Sequence, residues 1–314
     1  MTAGASGRGA PDDPAIADSP RRRRRYRLGL PFWGLQGWVG SLYPKGSKPR
    51  DFLRHYASVF STVEGNTTFY SLPSEATVER WCEATPESFR FCLKLPKILT
   101  HEKRLLRVEA ELEHFLGRVE PLGPRLGPFI VQLPPSFGPD LLPRLDAFLT
   151  VAPSRFRYAV ELRQSAFYLP PLAREVDAML RHYGCDRCVI DTRALREGDP
   201  SHPDVQAALH KKPDLPAYEV AIGEEPIVRL ICHPDFSVSE PWLERWSRRF
   251  AEWMRQGKRP HVCVHLPDNV AVPKLARRCH EILSAELGGD LPALPEFPGE
   301  IVVEPPPDPQ LSLF

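Results

Sequence analysis

Residues 59–95 read VFSTVEGNTTFYSLPSEATVERWCEATPESFRFCLKL, and this stretch sets the architecture. Apolar runs at 59–64 and 89–95 have the length and composition of strands. Between them, SEATVERWCEA opens on Ser74 as a helix cap and brings Val78, Trp81 and Cys82 to one face. Strand, helix, strand is the unit of a parallel sheet. Similar runs at 27–30, 129–133, 157–162, 187–191, 227–232 and 261–265 raise the strand count to eight. Helical patterns lie between them. RDFLRHYASVF aligns Phe52, Tyr56 and Phe60. SEPWLERWSRRFAEWM, with Ser239 as the expected cap, aligns Trp242, Trp246, Phe250 and Trp253. PKLARRCHEIL aligns Leu275, Cys279 and Ile282.

Eight strands alternating with helices predict an α/β fold, a single (β/α)8 TIM-type barrel over residues 26–289. A doubly wound open sheet is the rival. It normally carries a phosphate-binding glycine motif after its first strand, and PFWGLQGWVGSLYPKG is not one. Residues 1–25, ending in five arginines, are expected to be a disordered basic arm. Residues 290–314 are expected to be a Pro-rich flexible tail.

The totals exclude little. The 314 residues are 42% hydrophobic and 26% charged, with a formal net charge of +1. Bulk charge therefore predicts neither a nucleic-acid binder nor a membrane-surface protein. No run of 18 apolar residues predicts a membrane span, and a cytoplasmic location is expected. The seven cysteines read as reduced, mostly buried thiols. The Cys185–Cys188 pair has redox or metal spacing but no second pair beside it.

In such a barrel, chemistry sits at the C-terminal strand ends. Those ends carry Glu64, Asn66, Phe69 and Tyr70, then Lys94, Gln132, Glu161 with Arg163, and Asp191. Arg229 with His233, and His265 with Asp268 and Asn269, complete the set. Residues two apart share a strand face, so Glu64 aligns with Asn66, Glu161 with Arg163, and Arg229 with His233. The alternative to a functional ring is a structural salt-bridge network. Cations among carboxylates oppose a dense metal cluster and suit an anionic or phosphate-bearing ligand. Glu64, Lys94, Glu161 and Asp191 are the expected catalytic groups, with Glu64 or Glu161 as general base. The other strand-end residues, Asn66, Tyr70, Gln132, Arg163, Arg229, His233, His265, Asp268 and Asn269, are the expected substrate-binding groups. Trp38, Phe69 and Tyr70 either stack on a base or sugar ring or pack beneath the loops. No cofactor is evident; a single divalent ion on Glu161 and Asp191 is the only metal arrangement left open.

The motifs E-x-N-x-x-F-Y (Glu64 to Tyr70), F-x-x-K (Phe91 to Lys94), T-H (Thr100, His101), Q-L-P-P (Gln132 to Pro135) and E-x-R (Glu161 to Arg163) resemble the YecE-like family, the domain of unknown function 72. The likeness spans about residues 27–287. It implies a (β/α)8 barrel and no agreed activity. The strand-seven ending RLICHP and the strand-eight ending HLPDN depart from the commoner family pattern at His233 and Asp268.

The last five residues, QLSLF, resemble the peptide by which bacterial DNA-maintenance proteins bind the sliding clamp. Gln310, Leu311, Leu313 and Phe314 are the expected clamp contacts. Three functional readings follow. The first is a clamp-tethered DNA-maintenance enzyme, a hydrolase or lyase acting on nucleic acid or a phosphate-bearing nucleotide. The others are a small-molecule enzyme for a sugar phosphate or similar anion, and a non-catalytic clamp adaptor.

Overall fold

The computed structural model describes residues 26–301. The basic arm at 1–25 and the clamp-like residues 310–314 lie outside the described residues. Eight strands are present: β1 (Arg27–Gly29), β2 (Thr62–Gly65), β3 (Arg90–Leu93), β4 (Phe129–Gln132), β5 (Tyr158–Glu161), β6 (Asp186–Asp191), β7 (Ile227–Ile231) and β8 (His261–His265). Each overlaps an apolar run read from the sequence.

The strands pair in parallel throughout, as a six-stranded sheet in the order β1-β8-β7-β6-β5-β4 and a two-stranded sheet β2-β3. Backbone hydrogen bonds also run between the two sheets on both sides. Ser61 N donates to Leu28 O and Glu64 N to Leu30 O, each at 3.1 Å. Gly127 N donates to Phe91 O and Leu95 N to Ile130 O, each at 3.0 Å. At the first junction the chains come so close that a Cβ on Gly29 would lie 2.1 Å from Thr62 O, so only glycine fits there. This is a mostly parallel, TIM-like α/β arrangement.

Among the described residues, nine α-helices lie between strands and a tenth follows β8. They are α1 (Phe52–Val59), α2 (Thr67–Tyr70), α3 (Glu75–Ala84), α4 (Glu109–Val119), α5 (Leu142–Val151), α6 (Leu172–His182), α7 (Arg193–Glu197), α8 (Pro203–Leu209), α9 (Phe236–Arg255) and α10 (Val272–Glu286). Ser74 caps α3 as expected, accepting from Thr77 N at 3.2 Å. Helix α9 starts earlier than its sequence suggests. Asp235 is the cap, accepting from Ser237 N at 2.9 Å, and Ser239 lies buried within the helix, bonded to the backbone of His233. Asp235 is the start signal, and the serine four residues on holds the preceding loop.

Strand residues alternate between two environments. Val63, Phe91, Val131, Val160, Val189, Val228 and Val262 face outward and join the helices in the main apolar core. Cys92, Ile130, Ala159, Cys188 and Ile227 form a separate inner cluster. The Cys185–Cys188 pair is thereby split. Cys185 packs with the outer core, Cys188 with the inner one, and both thiols are free.

Part of the segment beyond residue 289, expected to be a tail, packs against the core. Leu291, Leu294 and Phe297 are buried. Phe297 packs on Phe60 of the chain after α1, with ring centroids 6.4 Å apart, and the Arg277 guanidinium lies 3.8 Å from its centroid. His280 shares a 2.9 Å hydrogen bond with Pro292 O. Three apolar residues spaced among prolines look like a tail in sequence but close the base of this packing. Phe297→Ala is expected to cost about 3–5 kcal/mol, measured by urea unfolding.

Candidate functional site

The inward alternation places Glu64 on β2, Glu161 on β5 and Arg229 on β7 toward one another at the C-terminal strand ends. Arg229 Nε donates to Glu64 Oε2 at 2.8 Å, and its Nη1 donates to Glu161 Oε2 at 2.5 Å. The remaining carboxylate oxygens take further cations. Lys94 Nζ lies 3.0 Å from Glu64 Oε1, and Arg163 Nε donates to Glu161 Oε1 at 2.7 Å. The result is an alternating chain: Lys94, Glu64, Arg229, Glu161, Arg163. His265 Nε2 adds a 2.9 Å contact to Glu64 Oε2. All but Arg163, which is partly exposed, are buried.

Burial and charge act in opposition here. Burial alone would raise both glutamates. Arg229, Arg163 and Lys94 outweigh it and hold Glu161 at about 2, and Arg229, Lys94 and His265 hold Glu64 well below the ordinary carboxylate range. Burial lowers His265 to about 4, with Arg229 and Lys212 adding to the effect against Glu64. His265 is therefore neutral at pH 7 and donates its Nε2 proton to Glu64.

The other expected residues divide. Gln132, paired in register with Glu161, is buried in the same inner layer, and its Oε1 has no hydrogen-bond partner among the described residues. Asn66 Nδ2 donates to Pro31 O at 2.8 Å and braces the β1 and β2 loops. Tyr70 is 81% exposed, edge-on to Phe69, which is edge-on to His101. Trp38 is not a stacking platform. It is fully buried, bonded through Nε1 to Asn269 O at 2.9 Å and stacked on Phe32. Asp268 and Asn269 cap their own turn through Val270 N and Leu266 N. His233 Nδ1 accepts from Asp235 N at 3.0 Å, within its own loop.

Asp191 stands apart from the cluster. It lies on the outward parity of β6, where Trp246 Nε1 of α9 donates to its Oδ2 at 2.6 Å and Arg193 binds both of its oxygens. A metal shared by Glu161 and Asp191 does not fit this placement, since one faces the inner layer and the other the helices. No group of three or more His, Cys, Asp or Glu suited to a metal occurs among the described residues. No described helix is long and apolar enough to cross a membrane.

Two residues of the site were not singled out by sequence reasoning. His101, in the chain after β3, is lowered to about 4 by burial and by Arg163, with Lys97 and Lys94 adding to this. Its signal was the T-H motif. Lys212, in the loop between α8 and β7, is half-buried and lowered to about 8 by burial and by Arg229, with Lys94 contributing. Nothing in the HKKPD sequence marks it.

Parallel strands alternating with helices, carrying a charged cluster at their C-terminal ends, define an α/β protein of the strand-end-site class. More closely, the chain belongs to the DUF72 family, described as "Protein of unknown function DUF72", which it matches over residues 27–298. It is 34% identical to the UPF0759 protein YecE of Escherichia coli K12 over 272 residues, covering 86% of this chain and 97% of that one. The UPF0759 protein YunF of Bacillus subtilis is 27% identical over 193 residues, covering 58% of this chain and 67% of YunF. A DUF72 family crystal structure from Thermotoga maritima superposes with a TM-score of 0.63 at 21% identity, over 82% of this chain and 99% of that one. One from Enterococcus faecalis gives 0.64 at 19%, over 82% and 95%.

The cluster makes folding sensitive to acid. Glu161 moves from an ordinary 4.5 down to about 2, so its contribution is complete above pH 4.5 and is lost as pH falls toward 2. His265 moves from 6.5 down to about 4, so the unfolded chain takes up a proton first and stability falls over that interval too. Denaturant midpoints are expected to drop steadily as pH falls below about 6.5. A midpoint unchanged between pH 7 and 4 contradicts the assignment.

Proposed function

We propose that the eight strands close into a (β/α)8 barrel and that its strand-end cluster binds a small phosphate-bearing or similarly anionic molecule and acts on it. The backbone bonds across both sheet junctions support closure. The observation that carries the functional reading is the charge count of the site. Glu64 and Glu161 are bonded by Lys94, Arg163 and Arg229, two carboxylates against three cations, while His265 stays neutral. The surplus is positive, and Arg163 is its less buried member. An anion entering there meets charge-assisted donors already held in place.

The orphaned Gln132 Oε1 narrows the ligand further. A buried acceptor without a donor is costly, and a ligand hydroxyl or N–H would satisfy it. A phosphorylated polyol or nucleotide offers both features. Depressed so far, Glu64 and Glu161 are poor general bases near neutral pH, and their work is to fix the cations. Burial of the two glutamates and Arg229 favours a small molecule over a duplex backbone.

Calorimetry with glycerol phosphate tests this reading. Binding is expected for the unaltered protein, and Arg163→Met is expected to weaken it about tenfold or more. Equal affinity of the two proteins overturns the reading.

A second reading, a clamp-tethered DNA-maintenance role, is favoured by two observations. One is QLSLF at residues 310–314. The other is a groove of about 580 Å³ beside His101, lined also by Lys103, Arg104, Arg107 and Arg144. Its rim is unusual: Arg104, Leu105 and Arg107 all adopt positive φ, of 47°, 61° and 53°. A cationic groove suits a phosphate backbone, and tethering would raise its local concentration near DNA. Purified bacterial sliding clamp is expected to bind the full chain at micromolar or tighter affinity, and Leu313→Ala with Phe314→Ala is expected to abolish it. Absence of binding removes this reading and leaves the first intact.

A further inference from the structure

Beyond the C-terminal end of β3, the chain from Pro96 to Arg107 lines two cavities. The first is an apolar pocket of about 670 Å³, walled by Phe69, Leu72, Ile98 and Phe115 and edged by Tyr70. Tyr70 is the most exposed large apolar side chain among the described residues. The second is the cationic groove beside His101, lined by Arg104, Arg107 and Arg144. The side chains of these three arginines make no hydrogen bond or ion pair among the described residues. Neighbouring charges are answered: Lys103 is paired with Glu111, and Lys97 Nζ lies 3.7 Å from Glu102 Oε1. The two cavities meet at one wall. Glu102 lines both, and Phe69 of the pocket stands edge-on to His101 of the groove, with ring centroids 4.9 Å apart. The dividing loop is anchored. Leu105 is buried and its N donates to Leu99 O at 2.9 Å, with Arg104 and Arg107 exposed to either side of it.

We propose that the two cavities form one binding site for single-stranded nucleic acid. An unstacked base enters the apolar pocket against Tyr70 and Phe69, and backbone phosphates lie on Arg104, Arg107 and Arg144. The inference rests on the cationic groove of the second reading above and needs neither the tail nor the clamp. Each cavity supplies what the other lacks. Arginine forks take phosphate oxygens in pairs, and guanidiniums without a carboxylate partner break no ion pair in doing so. A base needs an apolar wall with an aromatic face, and binding of single strands combines such faces with a cationic track. Glu102 and Glu111, which also line the pocket, offer acceptors to the exocyclic amino group of a base. A duplex meets half of this arrangement: its phosphates reach the groove, but its bases stay paired and stacked outside a concave pocket. An acidic peptide meets the arginines and brings no base to the pocket.

The probe is a fluorescein-labelled single strand of mixed sequence, about 12 nucleotides long, read by anisotropy with the full chain at about 50 mM salt. It is expected to bind about tenfold or more tightly than the same sequence as a duplex. Tyr70→Ala, a change at an exposed side chain, should weaken the single strand about fivefold or more and leave the duplex within about twofold. Arg107→Gln should weaken both, and should lower the slope of log affinity against log salt by about 0.7 for the single strand. A strand carrying abasic sites should bind the unaltered protein and Tyr70→Ala equally. Single strand and duplex held alike, no binding of either, or a Tyr70→Ala protein as tight as the unaltered one overturns the inference. Displacement of the strand by polyglutamate of equal charge as readily as by unlabelled strand overturns it in favour of an acidic peptide. The protein carrying Leu313→Ala and Phe314→Ala should hold the strand as the unaltered chain does, so loss of clamp binding and loss of this site are read separately.

Discussion

Arg229 spans the interior from the six-stranded sheet to the two-stranded one, and the arrangement of the strand ends depends on that reach. Its two carboxylate partners come from β2 and β5, neither of which is its neighbour in the sheet. Two glutamates at full burial would be untenable without a cation between them. With Arg229 in place, each still has an oxygen to spare, and Lys94 and Arg163 are drawn in to fill those positions. The layer beneath answers in kind. Ala159 and the thiols of Cys92 and Cys188 are small, and together with Ile130 and Ile227 they provide an apolar floor. Cys188 completes the support, pointing its thiol at Glu161 Oε2 from 3.8 Å.

The same ordering of charges leaves the cluster unbalanced. An isolated pair would neutralise itself. A chain that begins and ends on cations does not, and one of its ends, Arg163, is partly exposed. The partly exposed Arg163 lies just beyond β5, in the chain that leads to the next helix, so the strands hold the inner charges and a loop presents the outer one, the division between scaffold and loop that this kind of fold permits.

Much of this was legible in the residues. Eight apolar runs marked the strands, and Glu64, Glu161 and Arg229 were legible as polar residues at apolar strand ends; alternation paired them only within their own strands, with Asn66, Arg163 and His233. The same rule would have turned Asp191 outward, since it shares parity with Val189 and not with Cys188. It was masked because the partner that claims Asp191, Trp246, lies 55 residues away on α9. Ser239 misled for a similar reason: its hydroxyl serves His233, a contact local capping rules do not anticipate. The 290–300 segment hid its apolar anchors among prolines, and their burial depends on Phe60 and Arg277, far off in sequence. Lys212 carried no pattern at all, since its loop is held by Arg196 and Thr192 through backbone carbonyls.

The alternating chain also restricts how such a protein can diverge. Removing Arg229 takes away the one cation that both buried glutamates share, and removing Glu64 leaves the buried Lys94 without its partner, so replacements in the middle disturb more than one bond at once. Lys94 and Arg163 each touch only one glutamate. The ends can therefore be exchanged one step at a time, and a descendant can change what it recognises long before it can change the three residues in the middle. New specificity in this scaffold should arise from the rim inward, with the centre inherited as a block.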